Sequence, residues 1–245
     1  MRAAFGAEVL KLRTTRTVLS LFLAMLGLVV LAVALHGFGL PARDLAELSS
    51  QRRVLIAGET VGAVFAALLG AMSITAETRH GTIRPTFLGI PDRRAVVAAK
   101  ALTSLLLGLA LGLVATATAA AVGALAFATR DIPTQLNSAD YAQLIAGGAL
   151  ASALWAVIGL GIGSLVRNQV GAIVGIFIWL QIVENLLIDS MPDISRYMPG
   201  SLAQAIAGSQ IGALGSPVAA LLLLIAYAAV VLLIGTTRVV RSDVA

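Results

Sequence analysis

TAETRHGTIRPTFLGIPDRR, residues Thr75–Arg94, is the stretch on which the fold turns. It gathers Glu77, Arg79, Arg84, Asp92, Arg93 and Arg94 in a chain where only 12% of residues are charged and 59% are hydrophobic. A long apolar run lies on each side of it, so it reads as the polar connection between two membrane spans. Gly81-Thr82 ends the first span and starts a short helix. Pro91 then breaks that helix before Arg93, Arg94 and Lys100 restart the chain as the next span.

Working outward, the mean hydropathy of +0.97 sets the chain apart from soluble domains, in which roughly a quarter of residues are charged. A helix needs about 20 apolar residues to cross a hydrocarbon core of about 30 Å. Six runs meet that length, near 17–36, 54–76, 101–128, 142–166, 170–188 and 217–237. They use most of the 245 residues and leave no segment large enough for a separate soluble core. Lipid also forces backbone polar groups to bond within each span. The expected fold is therefore all-α, a single polytopic membrane domain of six transmembrane helices over 1–245.

The sequence pI near 10.4 does not point to nucleic acid, because the basic residues sort by membrane side. With the N-terminus inside, only Arg43, Arg52, Arg53, Arg130 and Arg196 of the 17 Lys and Arg fall outside. The positive-inside rule then places both termini and the 77–95 connection in the cytoplasm, in a cell membrane protein whose general partner is lipid. The first run, with Ala32-Val33-Ala34 near its end, is too long for a cleavable leader and reads as a span. There are no cysteines, hence no disulfides or thiolate metal sites.

Two further segments have a distinct character. Before Thr17, Phe5, Val9 and Leu12 recur at helical spacing while Glu8 and Lys11 lie one turn apart on another side, the pattern of an interfacial helix over 1–16. Between spans five and six, Pro192, Pro199 and Pro217 punctuate a connection that Leu202, Ala205, Ile206, Ile211 and Leu214 keep apolar. Residues 189–216 are expected to form re-entrant short helices, or an amphipathic loop resting on lipid.

Small residues at four-residue spacing, Gly58/Gly62, Gly108/Gly112, Gly159/Gly163 and Gly171/Gly175, mark faces for close helix packing. Glu59 and Glu184 are the ionisable groups deepest in apolar runs, and Gln181 and Asn185 accompany the second. Charges at such depth need protein or water around them, which makes these four candidates for a translocation path. Pairing of Glu59 with Arg52 or Arg53 is the structural alternative, and no basic residue is embedded in the spans. Catalysis finds no support: His36 and His80 are the two histidines, at opposite membrane sides, and no metal cluster or triad assembles around them. No G-x-x-x-x-G-K-[ST] loop occurs, so the chain carries no nucleotide site of that kind.

At its inner segments the chain resembles the membrane subunits of the type-two family of ATP-binding-cassette (ABC) transporters, the exporter-like permeases. The matching elements are E-x-x-K-L on Glu8, Lys11 and Leu12, E-x-x-x-G-T on Glu77, Gly81 and Thr82, P-x-R-R on Pro91, Arg93 and Arg94, and Lys100. The resemblance implies two permease subunits, identical or paired with a related one, joined to separate ABC ATPase subunits that bind ATP and Mg. It makes the loop after span two a coupling helix on which Glu77, Arg79, Gly81 and Thr82 transmit motion, and Arg84, Arg93 and Arg94 contact the ATPase. It also makes Glu8 and Lys11 part of a bracing helix. Spans two and five would line the route of a hydrophobic or amphipathic substrate. The alternative from a different class is an ATP-independent, proton-coupled secondary transporter using Glu59 or Glu184.

Overall fold

The computed structural model describes residues 2–166, 168–209, 214 and 216–241, without the side chains of Arg2, Ala3 and Arg84; Arg167 and Ile211 lie outside the described residues. Among these residues the structure is helical and has no strand. In chain order the helices are α1 (Arg2–Thr14), α2 (Arg16–Gly39), α3 (Leu48–Arg79), α4 (Ile83–Gly89), α5 (Arg93–Thr129), α6 (Ser138–Val166), α7 (Gln169–Ile178), α8 (Glu184–Ser190), α9 (Pro192–Ser195), α10 (Pro199–Ile206) and α11 (Pro217–Arg241). A π-helical turn, Trp179–Val183, joins α7 to α8, so that the two form one span.

Six of these units are long and apolar enough to cross a membrane, and the protein is a multi-pass membrane protein. Each contains one of the six apolar runs and extends beyond it. The 37 residues of α5 are the extreme case, about 56 Å at 1.5 Å per residue. That length exceeds a hydrocarbon core by several turns, so part of α5 stands clear of it.

The apolar windows of α3 and α6 are each 72% buried, against 33% or less for the other four, which makes this pair the centre of the bundle. Small residues bring the two backbones together. A Cβ added to Gly70 would stand 1.9 Å from the Ala156 carbonyl oxygen, and one added to Gly159 would stand 2.0 Å from that of Ala67. Gly58, Gly62, Gly108 and Gly112 make less extreme close approaches among α3, α5 and α6, where an added Cβ would meet its nearest atom at 2.5 to 3.1 Å. Within this chain the Gly171/Gly175 face meets little, Gly171 reaching only Val166 and Asn168. Gly175 has nothing within 4 Å and lies on a span whose apolar window is only 17% buried. Leucines such as Leu23, Leu31, Leu222 and Leu233 point outward from α2 and α11, as lipid-facing positions require.

The end of α3 is fixed by backbone geometry. Gly81 adopts φ +69°, and the amides of Gly81 and Thr82 donate to the carbonyls of Thr78 (3.4 Å) and Glu77 (3.0 Å). This is the helix stop that glycine favours, and it reverses the chain into α4. Asp92 then caps α5 by accepting from the amides of Arg94 and Ala95, at 3.0 and 3.2 Å. At the opposite end Asn137 and Asp140 exchange hydrogen bonds in the reciprocal pattern of a capping box and start α6. In the connection after α8, α10 buries Leu202, Ala203, Ala205 and Ile206 against α6 and α11.

Gly159→Val drives a branched side chain into the α3 backbone and is expected to cost at least about 1–3 kcal/mol by overpacking. Gly175→Ala enters open space and is expected to change nothing. Thermal unfolding of the two variants in detergent micelles checks the contrast.

Candidate functional site

At the end of the bundle that carries α4, three helices meet around one buried ammonium group. Lys100, on the first turns of α5, is only 1% exposed. Its Nζ donates to both carboxylate oxygens of Glu8 on α1 (3.0 Å each), to Glu77 Oε1 on α3 (2.7 Å) and to the Ser73 carbonyl (2.8 Å). Lys11 closes the ring by donating to Glu8 Oε1 at 2.8 Å and Glu77 Oε1 at 2.6 Å. Two ammonium groups thus share two carboxylates, and the cluster is neutral. Burial pulls the Lys11 ammonium toward deprotonation, but the Glu77 and Glu8 carboxylates outweigh it and raise its pKa above the usual 10.5. Its contribution is therefore complete below that value and is lost only as pH rises through the raised one. The ring does not open through Lys11 near neutrality.

By sequence, no basic residue is embedded in the spans and Lys100 is a flank of the third. In the structure α5 begins at Arg93, so this flanking lysine stands two turns into the helix and is buried against α1. A groove of about 510 Å³ runs beside the ring, between α1, α2 and α3.

The predicted coupling residues divide into two groups. Glu77 faces inward to the lysines; Asp92, a further charge of the same stretch, caps α5. Arg93 also turns inward: its guanidinium lies 5.3 Å from the Phe87 ring centroid and donates to the Val240 carbonyl at 3.2 Å, on the last turn of α11. A cation there is favoured by the carbonyl end of the helix. Arg79 is exposed and donates to Gln169 at 3.3 Å, and Thr82, Gly81, Pro91 and Arg94 are exposed as well. Arg84 belongs to α4, and its side chain is outside the described residues. Ile83 and Phe87 seat α4 against Ile74, Val97, Leu160 and Val239, while Leu88 projects into the open at 84% exposure. The face that α4 presents is therefore apolar at its tip and basic at its edge.

At the opposite end, one cavity of about 370 Å³ is lined by all four path candidates, Glu59, Gln181, Glu184 and Asn185. Glu184 is 3% exposed and fully engaged: Trp179 Nε1 donates to it at 2.7 Å, and so do the backbone amides of Gly200 and Ser201 at the start of α10. A Cβ on Gly200 would lie 2.2 Å from Glu184 Oε2, so this grip requires glycine. The π turn before Glu184 is a form that often marks functional positions. Glu59 is 1% exposed, and its Oε1 has no partner. Pairing with Arg52 is not what the structure shows, since Arg52 binds Asp140 and the Gly208 carbonyl, and Arg53 sits exposed at the cavity rim. Asn185 turns its amide back to the Gln181 carbonyl at 2.9 Å.

Trp179, Gly200 and Ser201 escape a reading of the sequence because their roles depend on α10 folding back against the fifth span. The prolines around that segment are the available signal. Among the described residues no cluster of three or more His, Asp or Glu is arranged to hold a metal.

Removing one member of a buried charge cluster leaves its partners uncompensated, so Lys100→Met is expected to destabilise the protein by about 3–5 kcal/mol. Arg94→Ala, on the exposed face, is expected to stay within about 0.5 kcal/mol. Unfolding in mixed micelles distinguishes them. The family profile described as ABC-2 family transporter protein matches residues 4–183, a range that includes the lysine-glutamate ring, α4 and Glu59. No curated protein matches the chain significantly. The profile covers well over half of the sequence, and the chain belongs to the ABC-2 family of transporter proteins, as a membrane permease component of an ABC transporter.

Proposed function

We propose that this permease works as an exporter in the cell membrane, with the α4 end and both termini in the cytoplasm. ATP and Mg bind on a separate ATPase subunit, because the sequence offers no phosphate loop of its own. In this reading two permease subunits, alike or related, stand on a pair of ATPases. Nucleotide binding brings the ATPases together and pushes on α4.

The observation that carries the reading is the ring of Glu8, Lys11, Glu77 and Lys100. It sits directly behind the turn at Gly81-Thr82 and ties α1, α3 and α5 into one unit. A load on α4 is then delivered to the central helix of the bundle instead of being lost in a hinge. Glu77 and Glu59 lie about 27 Å apart along that same helix, so the push reaches the far cavity as movement of its wall. We assign Glu59, Gln181, Glu184 and Asn185 to the substrate route. Glu77, Lys100, Glu8 and Lys11 transmit the force, while Leu88, Arg79 and Arg94 meet the ATPase. The secondary-transporter reading draws on one observation, the unpartnered oxygen of Glu59, and the same experiment tests it.

Co-expression with candidate ATPases and affinity purification of the permease should recover a nucleotide-binding subunit. Leu88→Glu with Arg94→Glu reverses the chemistry of the α4 face without touching the ring. That pair is expected to weaken recovery about tenfold or more, the loss typical of an interface anchor. If no ATPase is recovered, and transport in vesicles follows a proton gradient without ATP, the exporter reading is wrong.

A further inference from the structure

The far cavity holds an unusual concentration of unanswered polar groups. Five buried side-chain atoms among the described residues have no hydrogen-bond partner, and three of them, Glu59 Oε1, Trp155 Nε1 and Ser201 Oγ, belong to residues lining this one space. A buried polar atom left unpaired costs about 1–3 kcal/mol, more when charged, so three around a shared cavity argue for something that enters it. At about 370 Å³ the cavity has room for on the order of ten waters or for one organic group of similar bulk. Ile56, Ala57, Leu180 and Ile188 supply apolar walls.

The charges decide what fits. Glu184 is already answered by Trp179, Gly200 and Ser201, and Arg52 is committed to Asp140. Glu59 has only the Thr60 hydroxyl, at 3.5 Å, and among the described residues no ion pair reaches it. An anion entering here would meet the acceptor oxygens of Glu59 and Glu184 inside, with Arg53 only at the rim. A neutral apolar molecule would leave Glu59 Oε1 bare. An organic cation with an apolar body answers both the carboxylate and the walls.

We infer that this cavity is a binding site for an amphipathic organic cation, with Glu59 as its counter-ion. The inference rests on the reading of the cavity as part of the substrate route and names the class of substrate that route accepts. Arg53 at the rim opposes cations of either kind, and the apolar walls favour a lipophilic one over a bare inorganic ion.

The test uses the whole 245-residue chain, purified without any ATPase. Tetraphenylphosphonium and tetraphenylborate serve as probes, nearly identical in shape and opposite in charge. The chain has two tryptophans. Trp155 lines the cavity and Trp179 binds Glu184, so intrinsic fluorescence reports occupancy directly. The phosphonium is expected to bind about tenfold or more tighter than the borate, since loss of a buried charge partner costs at least that much. Glu59→Gln should abolish the difference. Asp193→Asn, which removes an exposed carboxylate at the same end, should preserve it.

Equal binding of the two probes, or a preference that survives Glu59→Gln, overturns the assignment. Should that variant fail to fold, carbodiimide labelling of Glu59 in the wild-type chain gives the second readout. Protection by the phosphonium and not by the borate supports the site, and absence of protection sinks it. A cation that binds through Glu59 yet never stimulates a partner ATPase would refute the exporter reading and leave this site standing.

Discussion

A fully buried lysine ammonium is the constraint on which the rest of this structure depends. Placed alone in a protein interior, the Lys100 charge would cost several kcal/mol, and the fold answers it with two carboxylates and a backbone carbonyl drawn from α1 and α3. Satisfying that one group fixes three things together. It docks α1 beneath the bundle, it sets the register of α3 against α5, and it holds the start of the α4 turn in place. Lys11 completes the neutral ring, so no net charge remains at the junction.

The second constraint is steric. Lipid supplies no hydrophobic drive between helices, so α3 and α6 associate through close backbone approach at Gly70, Gly159 and their neighbours. That seam makes α3 one of the two most enclosed long helices and gives it a rigid course from the ring at one end to the cavity at the other. The ring and the cavity are thereby placed on a common element. The π turn and the grip of α10 on Glu184 fix the other wall of the cavity in a similar manner, by hydrogen bonds to a carboxylate instead of by sterics.

The ends of the molecule differ in how completely their charges are answered. At the α4 end several charges of Thr75–Arg94 are used within the fold, since Glu77 binds lysines, Asp92 caps a helix, and Arg93 holds the end of α11. What is left for a partner is a small apolar and basic face. At the opposite end Glu59 is buried with one oxygen, Oε1, unpartnered, and it lines a cavity large enough to hold a ligand. A structural role explains the first set of charges, and Glu184 and Arg52 at the opposite end, but leaves Glu59 without an account.

Sequence alone determined the six spans, the short helix between Gly81 and Pro91 and the class of fold, because span length and helix stops are local properties that lipid thickness and backbone sterics dictate. It also singled out Glu59 and Glu184, since a carboxylate in an apolar run is visible without a fold. Only the tertiary structure decided where the partners are. Lys100 looked like a flanking charge because its burial comes from α1, 92 residues away. Arg93 looked free to meet a partner because the α11 carbonyls it holds are distant in the chain. Glu59 and Glu184 became wall residues of one cavity through packing of helices far apart in sequence, and long-range pairing of that kind leaves no periodicity for a sequence to display.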